Sequence, residues 1–350
     1  MKRLEYFDLA KGIGIFLVVL GHATFVNDHV ITWVFSFHMP LFFMISGILM
    51  AKSDLKDLPF RVFLHKKLRS ILIPYLCFSI CYTIIDIISV FLKQITLFDL
   101  KTNLVCTGTF AGSGPLWFLT TLFFSQILFS RLLHWFGDLK AFLISIVLSA
   151  LGFVTWHFFE PLFNASRDDL SRFFLLNFPF ELIRCVICMS LIAVPYIAYK
   201  AFLKIPGSYK KNLYYLIAGI ILSIVNILAS QLNSNIDIHN LDYGNVLLFL
   251  LNAFAGSSAL ILICRSIPIY KVFKPILFWG RNSLIIMATH LNFYVLYLGG
   301  VVAYIINPHI TRAKEYVFLF NILLVTMLTE TVLILFMNRF LPWFSGKKKV

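Results

Sequence analysis

Charge is what this 350-residue chain has least of: Asp, Glu, Lys and Arg make up 13% of it, while 60% is hydrophobic and the mean hydropathy is +0.87. That balance excludes a soluble globular domain, which carries about 25% charged residues. Acidic residues are the scarcer sign, 16 against 30 Lys and Arg, leaving a net charge of +14. Cysteines number only six, and Cys185-Val-Ile-Cys188, although spaced like a redox motif, lies in an apolar run without βαβ context. It reads as small packing residues. The nine histidines are scattered without zinc-type spacing, so no metal is expected. No low-complexity tract or repeat of solenoid period is present, and the two halves lack the internal likeness that many secondary transporters carry. The first apolar segment ends without a small-residue cleavage site, so a retained helix is expected rather than a leader.

What the chain does have is ten apolar runs of spanning or near-spanning length, at 10–26, 31–50, 71–92, 116–135, 141–159, 180–199, 212–231, 244–264, 276–299 and 317–341. Nothing left over is long enough for a soluble domain. The expectation is therefore an all-α polytopic membrane protein, residues 1–350 forming one membrane-embedded domain. With ten spans and a cytoplasmic N-terminus the C-terminus is cytoplasmic too. Inside segments then carry 21 of the 30 Lys and Arg and outside segments six, as the positive-inside rule predicts for a cell (plasma or inner) membrane protein. The basic excess is thus a topology signal, and nucleic acid is not an expected partner. The basic inside loop 51–70 suits membrane lipid headgroups or an anionic cytosolic ligand. Outside loops 93–115 and 160–179 are the natural receivers of an extracytoplasmic acceptor.

Ionisable residues in apolar runs are expensive and mark candidate sites. Lys11 and His22 lie eleven residues apart in the first run. In a helix that is three turns plus roughly 20°, so they share a face about 16 Å apart along the axis. Such a line suggests a cationic clamp at one end and proton transfer at the other. The bland alternative is an Asp8–Lys11 ion pair and a histidine hydrogen-bonded to a neighbouring helix. The second run, Phe35-Ser-Phe-His38-Met-Pro40 through Ser46-Gly47, holds a further imidazole, and Pro40 and Gly47 are expected to open its backbone ladder. Lys66 and Arg69, i and i+3 at the cytoplasmic start of the third, are a plausible phosphate-binding pair. Asp86 and Glu330 are mid-run carboxylates needing partners, while Glu181 and Arg184 are spaced to neutralise each other. Arg281 and His290, nine residues apart, would face opposite sides of an undistorted helix.

Phe7-Asp-Leu-Ala-Lys11 followed by Gly21-His22 resembles the opening of the integral-membrane acyltransferase-3 family, in which a basic residue precedes histidine by ten intervening residues. The His38–Ser46-Gly47 segment, Lys66-x-x-Arg69 before Ile73-Pro74-Tyr75, and Gly280-Arg281-Asn282-Ser283 with His290 are similar in order along the chain. Gly114-Pro-Leu-Trp117-Phe-Leu119 resembles the branch related to fucose 4-O-acetylase and surface-polysaccharide O-acetyltransferases. Two features depart from the pattern. Lys11 stands where many members have Arg, keeping the charge without the bidentate fork. The glutamate that some members carry after the tryptophan is absent.

The resemblance implies transfer of an acyl group, most often acetyl from acetyl-coenzyme A, to a sugar hydroxyl on the far side of the membrane. The acceptor is a sugar, lipid-linked sugar or cell-surface glycan, and no metal takes part. On it, His22 and His38 are the catalytic candidates, His22 as general base or acyl carrier and His38 orienting it or acting on the acceptor. Lys11, Lys66, Arg69 and Arg281 are candidates for holding coenzyme A. Ser46, Trp117, Asn282, Ser283 and His290 are candidates for the acceptor. The rival expectation is a proton-coupled transporter or exporter in which His22, His38, Asp86 and Glu330 relay protons. A silent membrane scaffold, the third, leaves the buried charges without a purpose.

Overall fold

The computed structural model describes residues 4–53, 59–203, 211–234, 236–267, 270–306 and 315–347. Among the cations of the expected orientation pattern, Lys2, Arg3, Lys56, Lys204, Lys210, Arg312, Lys314, Lys348 and Lys349 lie outside the described residues. In chain order the helices are α1 (Glu5–Gly21), α2 (Asp28–Phe35), α3 (His38–Lys52), α4 (Phe60–Lys67), α5 (Ile73–Phe91), α6 (Leu97–Gly108) and α7 (Trp117–Asn164). They continue as α8 (Leu170–Leu203), α9 (Lys211–Ser230), α10 (Val246–Ser266), α11 (Lys274–Arg281), α12 (Ser283–Thr289), α13 (Val295–Ile306) and α14 (Glu315–Phe340). Among the described residues the only strand-like pairing is an antiparallel bridge between Asp237 and Asp242. The fold is all-α, and helices are one of the two ways, with closed barrels, in which a spanning chain satisfies its backbone without water.

Seven helical stretches among the described residues are long and apolar enough to cross a membrane. The sequence predicts ten spans, and the differences have local causes. The fourth and fifth expected spans form one continuous stretch, broken at Gly137, whose φ of 74° and ψ of 178° no helix accommodates. The first is α1, only 17 residues long. The ninth is not one helix. Asn282, at φ −123° and ψ 18°, separates α11 from α12, and a turn at residues 290–294 precedes α13. The second bends at Ser36–Phe37, so Pro40 falls in the first turn of α3, where a missing N–H costs no helical bond. Pro40 therefore does not open a ladder in mid-helix, and Gly47 has a different use: a Cβ there would meet the Ile192 carbonyl oxygen of α8.

The chain forms two compact units, Met1–Phe42 with Ile205–Phe340, and Phe43–Lys204 with Leu341–Val350. In the second, α7 packs along α8 around a buried ion pair, Glu181 with Arg184. Arg184 also donates to Thr121 Oγ1 at 3.0 Å and the Ala111 carbonyl at 2.5 Å. This is the mutual neutralisation that their spacing suggests. A five-residue π-helical turn, Leu68–Leu72, joins α4 to α5.

In the first unit α1 is the organising element. Its glycines let other segments come against its backbone: Gly12 faces the Ile276 carbonyl of α11, and Gly280 of α11 faces the Asp8 carbonyl of α1. Gly14 and Gly21 leave room for Leu41 and Phe35. Lipid tails are as apolar as the helices, so close backbone approach through small residues is what holds such a pair together. Gly280→Ala should therefore separate α1 from α11. We expect a loss of about 1–3 kcal/mol, the usual cost of overpacking, read as a lower melting temperature in detergent, whereas Gly300→Ala, with open space around its Cβ inside α13, should not lower it.

Candidate functional site

Two polar clusters sit at opposite ends of α1. At its start, Asp8 is buried to 3% exposure and binds two cations, Lys11 Nζ at 3.2 Å and Arg281 Nε at 3.4 Å. Arg281 also reaches Glu5 at 3.6 Å. The Gly12–Gly280 approach explains why a residue at the end of α11 meets one in the first turns of α1. The Asp8–Lys11 pair is the one that helical spacing allows. Its third member, Arg281, depends on tertiary packing. Asn282 follows, donating to the Phe278 carbonyl at 2.8 Å and accepting from Asn338 at 3.0 Å, and so ties the α11–α12 break to α14. Ser283 opens α12, half-buried.

At the far end of α1, His22 is the residue on which the helix stops. Its φ of −100° and ψ of −3° keep it near helical register, so Lys11 and His22 share a face as their spacing predicts. His22 thus ends α1 rather than lying within it, and it is exposed. It looks onto a cleft of about 460 Å³ lined by Thr24, Leu291, Leu296, Tyr297, Gly300, Val301, Tyr304 and Ile322. The walls are mainly apolar, with Thr24 and two tyrosines as hydroxyl sources.

Two further imidazoles stand beside it. The His290 ring centroid is 5.4 Å from that of His22, with the planes 39° apart. His38 lies behind Phe35, whose ring meets His22 edge-on at 5.8 Å and His38 at 4.9 Å. Both are anchored alike: His38 Nδ1–H donates to the Val34 carbonyl at 2.8 Å and His290 Nδ1–H to the Ile286 carbonyl at 2.9 Å. A carbonyl only accepts, so Nδ1 carries the proton and, in the neutral ring, Nε2 is the lone pair. The helix break resolves the problem of angle for His290, since residues 281 and 290 no longer share one helix. Beside His290, Thr289 Oγ1 lies 2.8 and 2.9 Å from the two carboxylate oxygens of buried Glu330.

Asp237, which the sequence reading passed over, is the carboxylate whose field reaches both His22 and His38. It sits in the turn between α9 and α10, accepting from His239 N at 2.9 Å and Asn240 Nδ2 at 2.7 Å. The signal available was a polar Asp-x-His-Asn-x-Asp run between two apolar helices, at a loop that the predicted topology puts on the same side as His22.

The other candidates belong to the second unit. Ser46 accepts from Gln126 Nε2 at 2.5 Å, and Trp117 is buried with the Arg184 guanidinium 5.1 Å from its ring centre. Lys66 is exposed at the end of α4, and Arg69 lies within the π-helical turn, a kind of distortion common at functional sites. Asp86, the expected relay carboxylate, accepts from Asn103 at 2.9 Å in this unit. Among the described residues no three His, Cys, Asp or Glu side chains gather as ligands for a metal ion.

A family model described as an acyltransferase domain, that of the acyltransferase-3 family, matches residues 4–343. The nodulation protein NolL of Mesorhizobium japonicum is 31% identical over 160 residues, which cover 42% of this chain and 40% of that protein. The match thus spans well under half of the relative's length. No solved structure matches.

The difference in access among the three imidazoles has a direct chemical readout. Brief treatment of the folded protein with diethyl pyrocarbonate should modify His22 well before His38 (4% exposed) and His290 (0%), as followed by mass spectrometry of the peptides. Equal rates at the three sites would mean that the cleft does not present His22 in this way.

Proposed function

The chain belongs to the acyltransferase-3 family, and from that premise we propose that it moves an acyl group, acetyl in the first instance, from a coenzyme A thioester to a hydroxyl of a sugar. The acceptor is a lipid-linked sugar or cell-surface glycan on the outer face of the cell membrane. One observation carries the reading: α1 has at one end a cation pair, its own Lys11 with Arg281 of α11, and at the other an imidazole open to a cleft. Their spacing of about 16 Å along the axis suits a donor whose phosphates and thioester lie at opposite ends of a long arm.

In this reading both chain termini are cytoplasmic, as the 21-to-6 asymmetry of Lys and Arg favours, and the start of α1 faces the cytosol. Lys11 and Arg281 take the phosphates of the donor. They are already held together by Asp8, and the exposed Glu5 is the anion that a phosphate displaces from Arg281. Lys66 and Arg69, the other candidates for coenzyme A from the sequence, belong to the second unit. His22 takes the proton of the acceptor hydroxyl as its oxygen attacks the thioester carbonyl. The new C–O bond replaces the C–S bond, and the proton passes from the imidazolium to the departing thiolate. Imidazole is the side chain whose charge change lies nearest neutral pH, which suits it to such a shuttle. The hydroxyls of Thr24, Tyr297 and Tyr304 line the cleft and are the groups available to the acceptor, whereas Ser283 lies at the other end of α1, two residues after Arg281.

The test is transfer of radiolabelled acetyl from acetyl-coenzyme A in membranes. Wild type should label a glycan or lipid fraction, and His22→Ala at matched expression should label nothing. Full activity in His22→Ala overturns the catalytic role. If wild type fails to transfer to a broad set of acceptors and to bind coenzyme A, the weight moves to a transporter. Lys11→Ala separates binding from chemistry: the donor KM should rise on the order of tenfold, the worth of about 1.4 kcal/mol of lost ionic contact, with kcat within a fewfold of wild type.

A further inference from the structure

His290 is buried to 0% exposure, and its Nδ1–H is committed to the Ile286 carbonyl at 2.9 Å. Its Nε2 is buried too, and no hydrogen-bond partner meets it. A buried acceptor without a donor is rare and costly, and an explanation is owed for each one. The nearest imidazole is His22. A separation of roughly 5 Å between ring centres is what an N–H···N bond of about 3 Å between two five-membered rings produces. The observed 5.4 Å is therefore one small rotation away from a hydrogen bond. His22 is able to make that rotation, since it stands past the last residue of α1 and opens onto a cleft, whereas His290 is fixed.

We propose that His290 is the positioning partner of His22, its Nε2 accepting the N–H of His22 and so leaving the opposite His22 nitrogen as the lone pair that faces the acceptor hydroxyl. The inference rests on the acyl-transfer reading for its catalytic consequence, though the pairing itself does not. Neighbouring groups do not compete for the role. His38 is screened by the Phe35 ring, which meets both imidazoles edge-on. The Glu330 carboxylate is engaged by Thr289, and that of Asp237 by His239 N and Asn240. Among the described residues these three, with His22 and His290 themselves, are the titratable groups around the cluster. In the transfer step His22 gains the hydroxyl proton on its free nitrogen. The imidazolium so formed keeps its other N–H on His290, and no proton needs to pass to His290. Its part is to set the tautomer and hold the ring, the part a carboxylate plays toward histidine in a hydrolytic triad.

Two substitutions separate this role from packing. His290→Asn keeps an N–H for the Ile286 carbonyl but places nothing at Nε2. His290→Gln can carry an amide oxygen to about that position. With full-length protein and labelled acetyl-coenzyme A, His290→Asn should lower kcat on the order of 100-fold, leaving the donor KM within about twofold and the melting temperature near that of wild type. His290→Gln should recover most of the loss. Independently of any transfer, a hydrogen bond from His22 to Nε2 makes the other His22 nitrogen more nucleophilic. The carbethoxylation rate of His22 should therefore fall several-fold in His290→Asn and stay near wild type in His290→Gln. Equal losses in the two variants that track melting temperature, or a His22 modification rate that neither variant alters, overturn the proposal. If the wild type transfers no acyl group, the acyl-transfer reading fails on that result, and the carbethoxylation comparison still decides the pairing.

Discussion

The first unit depends on the closeness of α1 and α11. The ion pairs between them, Glu5 and Asp8 with Arg281, lie at one end, and in a membrane apolar burial between helices contributes little. Contact comes from the absence of two side chains, at Gly12 and Gly280, which allows carbonyl oxygens to approach the opposite backbone. Once the helices are at that separation, Asp8 lies between Lys11 and Arg281, two cations from distant parts of the sequence. The same docking fixes the start of α12, and the chain beyond it carries His290 to the other end of α1. Packing, ion network and histidine cluster are thus consequences of one steric allowance.

The breaks in the helices matter as much as the helices. A straight helix through 276–299 leaves Arg281 and His290 on opposite sides. The irregular Asn282 and the turn after His290 remove that constraint, and Asn282 closes its own side-chain hydrogen bonds with Phe278 and Asn338. Irregular backbone at membrane depth survives only where protein or a cavity satisfies it, and here it lies beside the cation pair and the cleft. The bend at Ser36–Phe37 acts similarly, bringing His38 to the start of α3, where Val34 can anchor its ring. Asp237 joins through a polar turn whose carboxylate is held by its own loop.

The site candidates divide between the two units. Lys11, His22, His38, Arg281, Asn282, Ser283 and His290 are residues of the first, whereas Ser46, Lys66, Arg69 and Trp117 are residues of the second. Within the second, Ser46 is tied to Gln126, and Trp117 lies against Arg184. These contacts give both residues packing partners of their own. In the first unit, the exposed His22 contrasts with its buried neighbours. One imidazole meets the cleft while the others are anchored behind it.

The amino-acid sequence by itself determined the class of fold, because 60% apolar residues in repeated long runs admit only membrane helices. It also determined that Lys11 and His22 share a face of α1, since that follows from helical period alone, and that Asp8 can reach Lys11. It did not determine where helices break, because a turn at Asn282 or a bend at Ser36 follows from side-chain partners distant in the chain rather than from local composition. It marked Arg281 and His290 as out of place in lipid but could not say that one would meet Asp8 and the other His22. Only the tertiary structure decided that. Glycines permit approach without naming the segment that approaches, and an ionisable group in an apolar run demands a partner without specifying which.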